Sequence, residues 1–449
     1  GGAFSFNGLF ISASHNIGCD FFLSKFNGND SGMLASTYLG GSGVDGINSA
    51  DQLFYNYGDL FRGEVNVNSL NEITVASTTE SMDFPMVGES LQTLGSPGLS
   101  DGVVFQMSPD LSSLIYSTYL GGSAQDAAYA VQFDSADNMV VCGGTRSQDF
   151  LIGSGSPYQA GFLGQTDSFV IKFNPGSSAP LASTFYGSSF YDQAYFVQLD
   201  LDENIYIYGQ SNGGLEVSPG CYGNEGSGQY VAKFNSNLSV LEWNTVIGTG
   251  DGEIDISPTG FLVSDCYDIY IAGWGGVTNA LSSPEAFSSS CFLLPVSDDA
   301  FQPDTDGSDF YLAVLTADAA QLKYATFLGG NQSNEHVDGG TSRYQKDGTI
   351  YQAVCAGCGG NSDFPTTPSA WSATNPSGAC NLGVFTFDLG TIDAALGLAE
   401  PNILCEDQET QFINESFGGD QYVWSFGDEN SSTDFEPIHT YDEPGIYEV

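Results

Sequence analysis

One short phrase is written repeatedly along this chain. LASTYLGGS ends at Ser42, IYSTYLGGS spans Ile115 to Ser123, LASTFYGS runs from Leu181 to Ser188, and YATFLGG spans Tyr324 to Gly330. Aligned on their threonine, the copies fall at Thr37, Thr118, Thr184, Thr245 and Thr326, separated by 81, 66, 61 and 81 residues. A period of tens of residues constrains a fold more than composition does. Each copy must be one small unit that cannot bury its apolar face alone and stacks on its neighbours.

The third copy contains every part. AYAVQFDSADN alternates and turns on Asp and Asn; NMVVCGGT is a short apolar strand; a variable loop follows; DSFVIKFNPGSS is a strand with a Pro-Gly turn; LASTFYGS closes the unit. The same order can be laid along residues 1–399, giving six units of four strands with a weak last strand near Ile392. A four-stranded meander repeated radially predicts a β-propeller. Face-to-face packing around a ring buries both faces of each sheet and leaves only short edges open.

Composition agrees. Eight Lys+Arg against 55 Asp+Glu give a net charge of −47 over 449 residues, which disfavours nucleic acid and anionic membranes as partners. Aromatic residues are 13 % and charged residues only 14 %, unlike an acidic disordered chain. No stretch approaches the ~18 apolar residues of a membrane span, and no basic-then-apolar leader opens the chain. Both ends read as strand, the pattern of a mature fragment of something longer.

STYLGGS, the DSFVIKFN strand and the SMDFP and NSDFP segments resemble the SBBP family of bacterial β-propeller repeats. That resemblance implies seven blades where six are counted here. The fourth and fifth copies depart from the pattern, with NTVIG and no DFP. After Ala399 the composition shifts. Trp424, Phe426, Gly427, Asp428, Pro437, His439, Tyr441, Pro444, Gly445 and Tyr447 resemble the PKD domain, an Ig-like β-sandwich, so residues 400–449 are expected to form one, incomplete at its C-terminal end. Glu429 stands where that family has Gly. A propeller followed by PKD resembles secreted or cell-surface proteins of the Bacteroidota exported by the type IX route, and an extracellular location is expected.

Candidate chemistry is sparse. Cys355 and Cys358 form CAGC, with Cys380 following 22 residues after Cys358. A structural disulfide from Cys380 to one of the pair is the leading reading, ahead of a zinc site completed by His336 and of a redox dithiol. Cys266 and Cys291 flank the long loop of the fifth unit and are positioned to close it. Asp304, Asp306 and Asp309, in DTDGSD, resemble the start of a calcium loop but lack its closing glutamate. A solvated turn is the leading reading of this segment and bound calcium its alternative; no other cofactor is indicated there. GSGVDG (Gly41 to Gly46) matches GxGxxG without a βαβ setting. Asp134 to Ala136, DSA, matches a short O-glycosylation signal. Lys25, Lys172 and Lys233 share one strand position, which argues for structure: their stems should lie on the sheets with the ammonium near a carboxylate. His15, His336 and His439 share no context, and no nucleophile elbow is present.

The expected function is a non-enzymatic structural or adhesive module, a propeller head on a PKD spacer. It is expected to bind carbohydrate or protein through the long inserts at 45–60, 83–100, 146–166 and 277–308. Two alternatives stand beside it. A glycosidase or lyase would need facing carboxylates at the ring axis, and a filament or sheath scaffold would dock on sister copies through flat apolar patches.

Overall fold

The computed structural model describes residues 18–28, 32–48, 50, 53, 59–153, 155–276, 290–337, 342–389, 396–398, 409–414, 422–442 and 444–449. The fold is all-β. Four complete antiparallel meanders carry the repeat. Sheet two holds β3 (Glu64–Val67), β4 (Ile73–Thr79), β5 (Asp101–Met107) and β6 (Leu114–Leu120). Sheet three holds β7 (Asp126–Phe133), β8 (Met139–Thr145), β9 (Asp167–Phe173) and β10 (Ala182–Tyr186). Sheet four holds β11 (Asp192–Leu199), β12 (Ile205–Ser211), β13 (Gln229–Phe234) and β14 (Leu241–Ile247). Sheet five holds β15 (Ser257–Val263), β16 (Ile269–Trp274), β17 (Phe310–Leu315) and β18 (Leu322–Leu328).

Sheet one contributes β1 (Phe21–Phe26) and β2 (Met33–Leu39), and sheet six contributes β19 (Arg343–Tyr344), β20 (Thr349–Ala356) and β21 (Asn381–Asp388). The strands expected before Gly18 and near Ile392 lie outside the described residues, as do His15 and the 277–289 stretch.

The sheets stack face to face in chain order. Phe21 and Leu23 of sheet one pack on Phe84 and Phe105, Val104 and Leu120 pack on Val131 and Phe169, and Val140 and Val170 pack on Val197 and Ile207. Tyr208 and Val231 pack on Phe261 and Ile271, and Leu312 and Val314 reach Ile350, Phe385 and Phe387. The middle strands β8, β9, β12, β13, β16 and β17 are buried along their whole length. This explains their runs of Val, Ile, Phe and Tyr instead of alternation, each full side chain contributing roughly 1.5–3 kcal/mol of burial.

The recurrent phrase is a seam lock. Asp45 accepts from Thr79 Oγ1, from Ser81 Oγ at 2.9 Å and from Gly41 N at 2.8 Å. Asp126 accepts from Thr145 Oγ1, from Ser147 Oγ at 2.7 Å and from Gly122 N at 2.8 Å, so the same arrangement recurs one seam further on. An Asp in the insert then caps the glycine turn of the preceding sheet: Asp83 accepts from Ser42 N at 2.7 Å and Asp149 from Ser123 N at 2.8 Å. Glu335 takes the place of the seam aspartate between sheets five and six, held by Ser333 Oγ and by Gly357 N at 3.4 Å.

The long inserts differ from expectation. All three that join the second and third strands of a sheet leave it at the same end, but their described parts do not stand out as free loops. Residues 83–100 run beside β6, with Val87 N donating to Ser117 Oγ at 2.8 Å and Tyr119 N to Gln92 O at 3.2 Å. Residues 155–166 run likewise beside β10, where Phe185 N donates to Gln159 O at 3.1 Å, and residues 290–308 beside β18, where Phe327 N donates to Gln302 O at 3.1 Å. The physical reason is the outer edge: the fourth strand would present unpaired backbone groups, and the insert covers them.

One glutamine organises each cover. The backbone N–H groups of Gln92, Gln159 and Gln302 donate to Thr118, Thr184 and Thr326 Oγ1 at 3.0, 2.9 and 2.9 Å. Their side-chain carbonyls accept from Gly121, Gly187 and Gly329 N at 2.9, 3.1 and 3.1 Å. The aligned threonine is therefore the acceptor for the returning insert.

The lysine expectation holds for two of the three: Lys172 Nζ lies 2.8 Å from Asp134 and Lys233 Nζ 3.5 Å from Asp200. Lys25 Nζ donates to Pro109 O at 2.8 Å.

The C-terminal segment forms a separate set of short strands. β22 (Leu396–Leu398) pairs with β23 (Thr410–Asn414), which pairs with β26 (Ile438–His439), and β24 (Trp424–Ser425) pairs with β25 (Ser431–Ser432). Phe412, Trp424 and Phe426 are its buried core. His439 stacks on Phe426 at 4.1 Å, and Tyr441 Oη donates to Phe426 O at 3.0 Å. Glu429 adopts φ 73°, so the turn keeps the left-handed backbone a glycine would supply.

Candidate functional site

The innermost strands β3, β7, β11, β15 and β19 converge on one axis and line a cavity of about 570 Å³. Five separate sheets sharing one cavity is the signature of radial stacking; a linear solenoid would not bring β3 and β19 together.

The axis is filled at one end from within the chain. Asp45 pairs with Thr79 at the place where β3 would begin, and residues 46–63 interrupt that strand before Glu64 resumes it. Of this insertion, Asn48, Ala50 and Leu53 are buried. Leu53 and Ala50 pack on Ala127, Tyr129 and Tyr195 of the inner strands. Leu53 O accepts from Tyr129 Oη at 2.6 Å and from Gln193 Nε2 at 2.5 Å. Arg62 ends the plug, with Nη2 donating to Pro258 O of sheet five at 2.7 Å and its guanidinium 4.5 Å from the Tyr195 ring centroid. The 45–60 insert is thus internal where it is described, and not the exposed binding loop its composition suggests.

The cavity occupies the other end of the axis. Phe133, Phe196, Phe261 and Tyr344 supply aromatic wall; Asn66, Gln132 and Gln198 supply amides; Glu64 and Arg343 supply charge. Asn66 Nδ2 donates to Gln132 Oε1 at 2.9 Å, which presets part of this amide surface. Glu64 accepts from Val131 N at 3.1 Å. Burial pushes its carboxyl up, opposed by Arg343 and Arg62, so the deep part of the cavity holds one carboxyl group among cations. The mouth is exposed, where Lys346 pairs with Asp265 at 3.1 Å.

The other acids along the wall are already engaged. Asp134 Oδ1 accepts from Ala136 N and Asn138 N at 2.9 Å, and Asp200 Oδ1 accepts from Asp202 N at 3.0 Å and Asn204 N at 2.8 Å. Both are turn-capping groups, as the DSADN and DLDEN segments imply. Glu203 is drawn to Ser135 of the neighbouring turn. The cavity therefore offers stacking surfaces, amides and a deep charge pair for binding, rather than two unengaged facing carboxylates.

The sequence-derived metal and cysteine candidates fall elsewhere. Asp309 is fully buried at the seam of sheets five and six, accepting from Gln302 Nε2 at 3.2 Å. Asp306 accepts from Ser308 N at 3.0 Å, and Asp304 contributes its backbone carbonyl to Gln302 Nε2 at 3.0 Å. Among the described residues, these three carboxylates do not gather as one ligand group.

Cys358 is bonded to Cys380, closing an insert of sheet six. Cys266 and Cys291 are not joined, which corrects the expectation that they close the fifth insert. Cys266 is exposed beside the β15–β16 turn, whereas Cys291 is buried with its thiol donating to Asp309 O at 2.9 Å. Cys355 lies outside the disulfide and pairs by backbone with His336.

Residues 395–449 match the PKD domain. Together with the disulfide, this PKD segment points to an extracellular protein. No helix among the described residues is long and apolar enough to cross a membrane. No curated protein matches the chain. Among solved structures, it is similar to the tail fiber of Staphylococcus aureus phage P68, with TM-score 0.27 and 9 % identity over 77 % of this chain and 55 % of that one. It is also similar to polysaccharide lyase Uly1, with TM-score 0.35 and 8 % identity over 94 % of this chain and 85 % of that one. BamB from Moraxella catarrhalis is similar at TM-score 0.23 and 11 % identity, over 82 % of this chain and 92 % of that one. The chain spans about half the length of the tail fiber.

Sequence reasoning missed the axial plug, the edge glutamines and the seam acids: Asp45, Asp126 and Glu335, with Asp192 accepting from Ser188 N at 2.6 Å and Asp255 from Thr249 N at 3.0 Å at the seams between. The glutamines had a signal, a Gln 27–29 residues before Gly121, Gly187 and Gly329, in LQT, YQA and FQP.

Proposed function

We propose that this chain is an extracellular, non-catalytic binding module that takes a carbohydrate-class ligand in its axial cavity, with the PKD segment as a spacer. The observation that carries this reading is the convergence of Phe133, Phe196, Phe261 and Tyr344 with Gln132, Gln198 and Asn66 in one cavity. Aromatic faces suit the C–H surfaces of a sugar and amides suit its hydroxyls, while strand-borne positions limit the entropy lost on binding. The Arg343–Glu64 neighbourhood favours a sugar carrying a carboxylate or acetamido group. Binding through the cavity replaces binding through the inserts, because the described inserts are used as edge covers.

The test is an oligosaccharide array followed by calorimetry on the leading hit. Gln198→Ala and Arg343→Ala should each weaken binding at least tenfold without changing circular dichroism. Products shorter than the supplied polysaccharide would favour the lyase or glycosidase reading and sink this one.

A second reading, the assembly scaffold, draws on the outward faces of the terminal sheets. Phe22 pairs with Tyr38 on sheet one, and Val384 pairs with Ala353 on sheet six; Phe22, Tyr38 and Val384 are all exposed. Concentration-dependent self-association that Tyr38→Glu abolishes would support it.

A further inference from the structure

Features that recur at every seam serve the ring, since a single site needs only one copy. The informative feature is the one that breaks the repeat. In sheet three the strand-one position after the seam acid is Ala127, paired with Gly144, and in sheet four it is Gln193, paired with Gln210. In sheet six the corresponding pair is His336 with Cys355, directly after Glu335. His336 is 5 % exposed and Cys358 6 % exposed, and His336 Nδ1 lies 3.6 Å from Cys358 Sγ. The ligand atoms of His336, Cys358 and Cys380 all lie within 4.8 Å of one another.

We propose that His336, Cys358 and Cys380 form a zinc site when the Cys358–Cys380 disulfide is reduced, with a fourth position open to water or an exogenous ligand. The donor chemistry selects the metal: two thiolates and one imidazole suit a borderline-soft divalent ion, with Zn–S near ~2.3 Å and Zn–N near ~2.0 Å. Donors at those lengths stand within ~4 Å of each other, so the observed cluster needs only side-chain adjustment once the sulfur–sulfur bond is broken. The charges also balance. Two thiolates, one neutral imidazole and Zn²⁺ sum to zero, which a largely buried seam tolerates better than an unpaired thiolate.

The redox step is two-electron. A dithiol donor gives the disulfide two electrons and two protons and becomes a disulfide itself; Zn²⁺ then displaces the two thiol protons to solvent. In either state the insert between Cys358 and Cys380 stays clipped to the seam. That insert carries Trp371, whose side chain is fully exposed at 103 %. The device exchanges one clip for another while opening a metal coordination position at the base of the insert.

The experiment uses the whole chain, oxidised or reduced with a phosphine, desalted under argon and titrated with Zn²⁺ against a chromophoric chelator. The reduced chain should retain one equivalent and the oxidised chain none, and Co²⁺ in its place should give a thiolate-to-metal charge-transfer band. His336→Ala and Cys380→Ser should each weaken zinc retention at least tenfold. Cys380→Ser serves should the buried histidine variant fail to fold. Absence of retained zinc in the reduced chain, retention by Cys380→Ser equal to the parent, or a Co²⁺ spectrum lacking the charge-transfer band would each overturn the proposal.

Discussion

Asp101 and Asp126 stand on neighbouring sheets and converge on Gly121: a Cβ there would press on Asp101 Oδ1 and lie 3.0 Å from Asp126 Oδ2. The relationship recurs, with Asp167 and Asp192 about Gly187 at 3.1 and 3.0 Å, and Asp20 and Asp45 about Gly40 at 2.5 and 2.6 Å. Glycine at this position of the stop, having no Cβ, lets the backbone pass between two carboxylates. Gly121→Ala should cost about 1–3 kcal/mol through overpacking. Asp101→Ala should recover part of that loss in the double variant, a coupling readable in a urea double-mutant cycle.

Acidity should stabilise the ring. Burial pushes Asp126 and Asp309 up to about 7, and Asp101, Asp167, Asp192 and Asp255 up to about 6. Their folded-state values lie above the ordinary carboxyl value, so the folded chain binds more protons than the unfolded one between about pH 4 and 7. Stability from these groups is complete below the unfolded value and is lost as pH rises through 6 to 7. The melting temperature should therefore be higher near pH 5 than near pH 8, by roughly 1 °C for each kcal/mol gained. Scanning calorimetry across that range checks the sign; a rise in melting temperature from pH 5 to pH 8 would refute it.

The edge glutamines predict local rather than global weakness. Gln159 receives Gly187 N and donates Nε2 to Asp167 Oδ2 at 3.0 Å. Gln159→Ala strands Gly187 N and leaves Asp167 Oδ2 with Leu163 N alone at 2.8 Å, and about 1–3 kcal/mol of stability should be lost. Limited proteolysis should show cleavage within residues 155–166 before any other insert, because the cover of β10 then loses its side-chain bonds to Gly187 and Asp167.

Arg62 predicts long-range damage. Its guanidinium joins the plug to Pro258 O and to the Tyr195 ring. Arg62→Ala should destabilise by about 2–4 kcal/mol, since it strands a buried carbonyl and empties volume among aromatic rings. Arg62→Lys should recover less than half, because a point charge cannot donate and stack together. Thermal denaturation of the three proteins is the measurement.

Much of the ring was legible in the sequence. The alternation and turn residues of AYAVQFDSADN place β7 and its turn, and the apolar run of FVIKF marks a strand buried on both faces. The Trp, Phe-Gly-Asp and Tyr positions of the tail carry the PKD match. The inserts were not legible in the same way, since Gly-, Ser- and Asn-rich segments look alike whether they cover an edge, fill an axis or stand in solvent. Asn48, Ala50 and Leu53 have no periodicity to declare them core. They are buried because the ring brings Tyr129 and Gln193 to them, the latter across 140 residues.

By itself, then, the sequence determined the unit: four strands, their turns, their order and the stop between copies, all properties of residues near one another in the chain. Tertiary structure alone decided what fills the axis, which carboxylates face each other across a seam, and that His336 meets Cys358 and Cys380. Those outcomes depend on closing loops of tens to hundreds of residues, where local propensity carries no information and only the packed ring sets the distance.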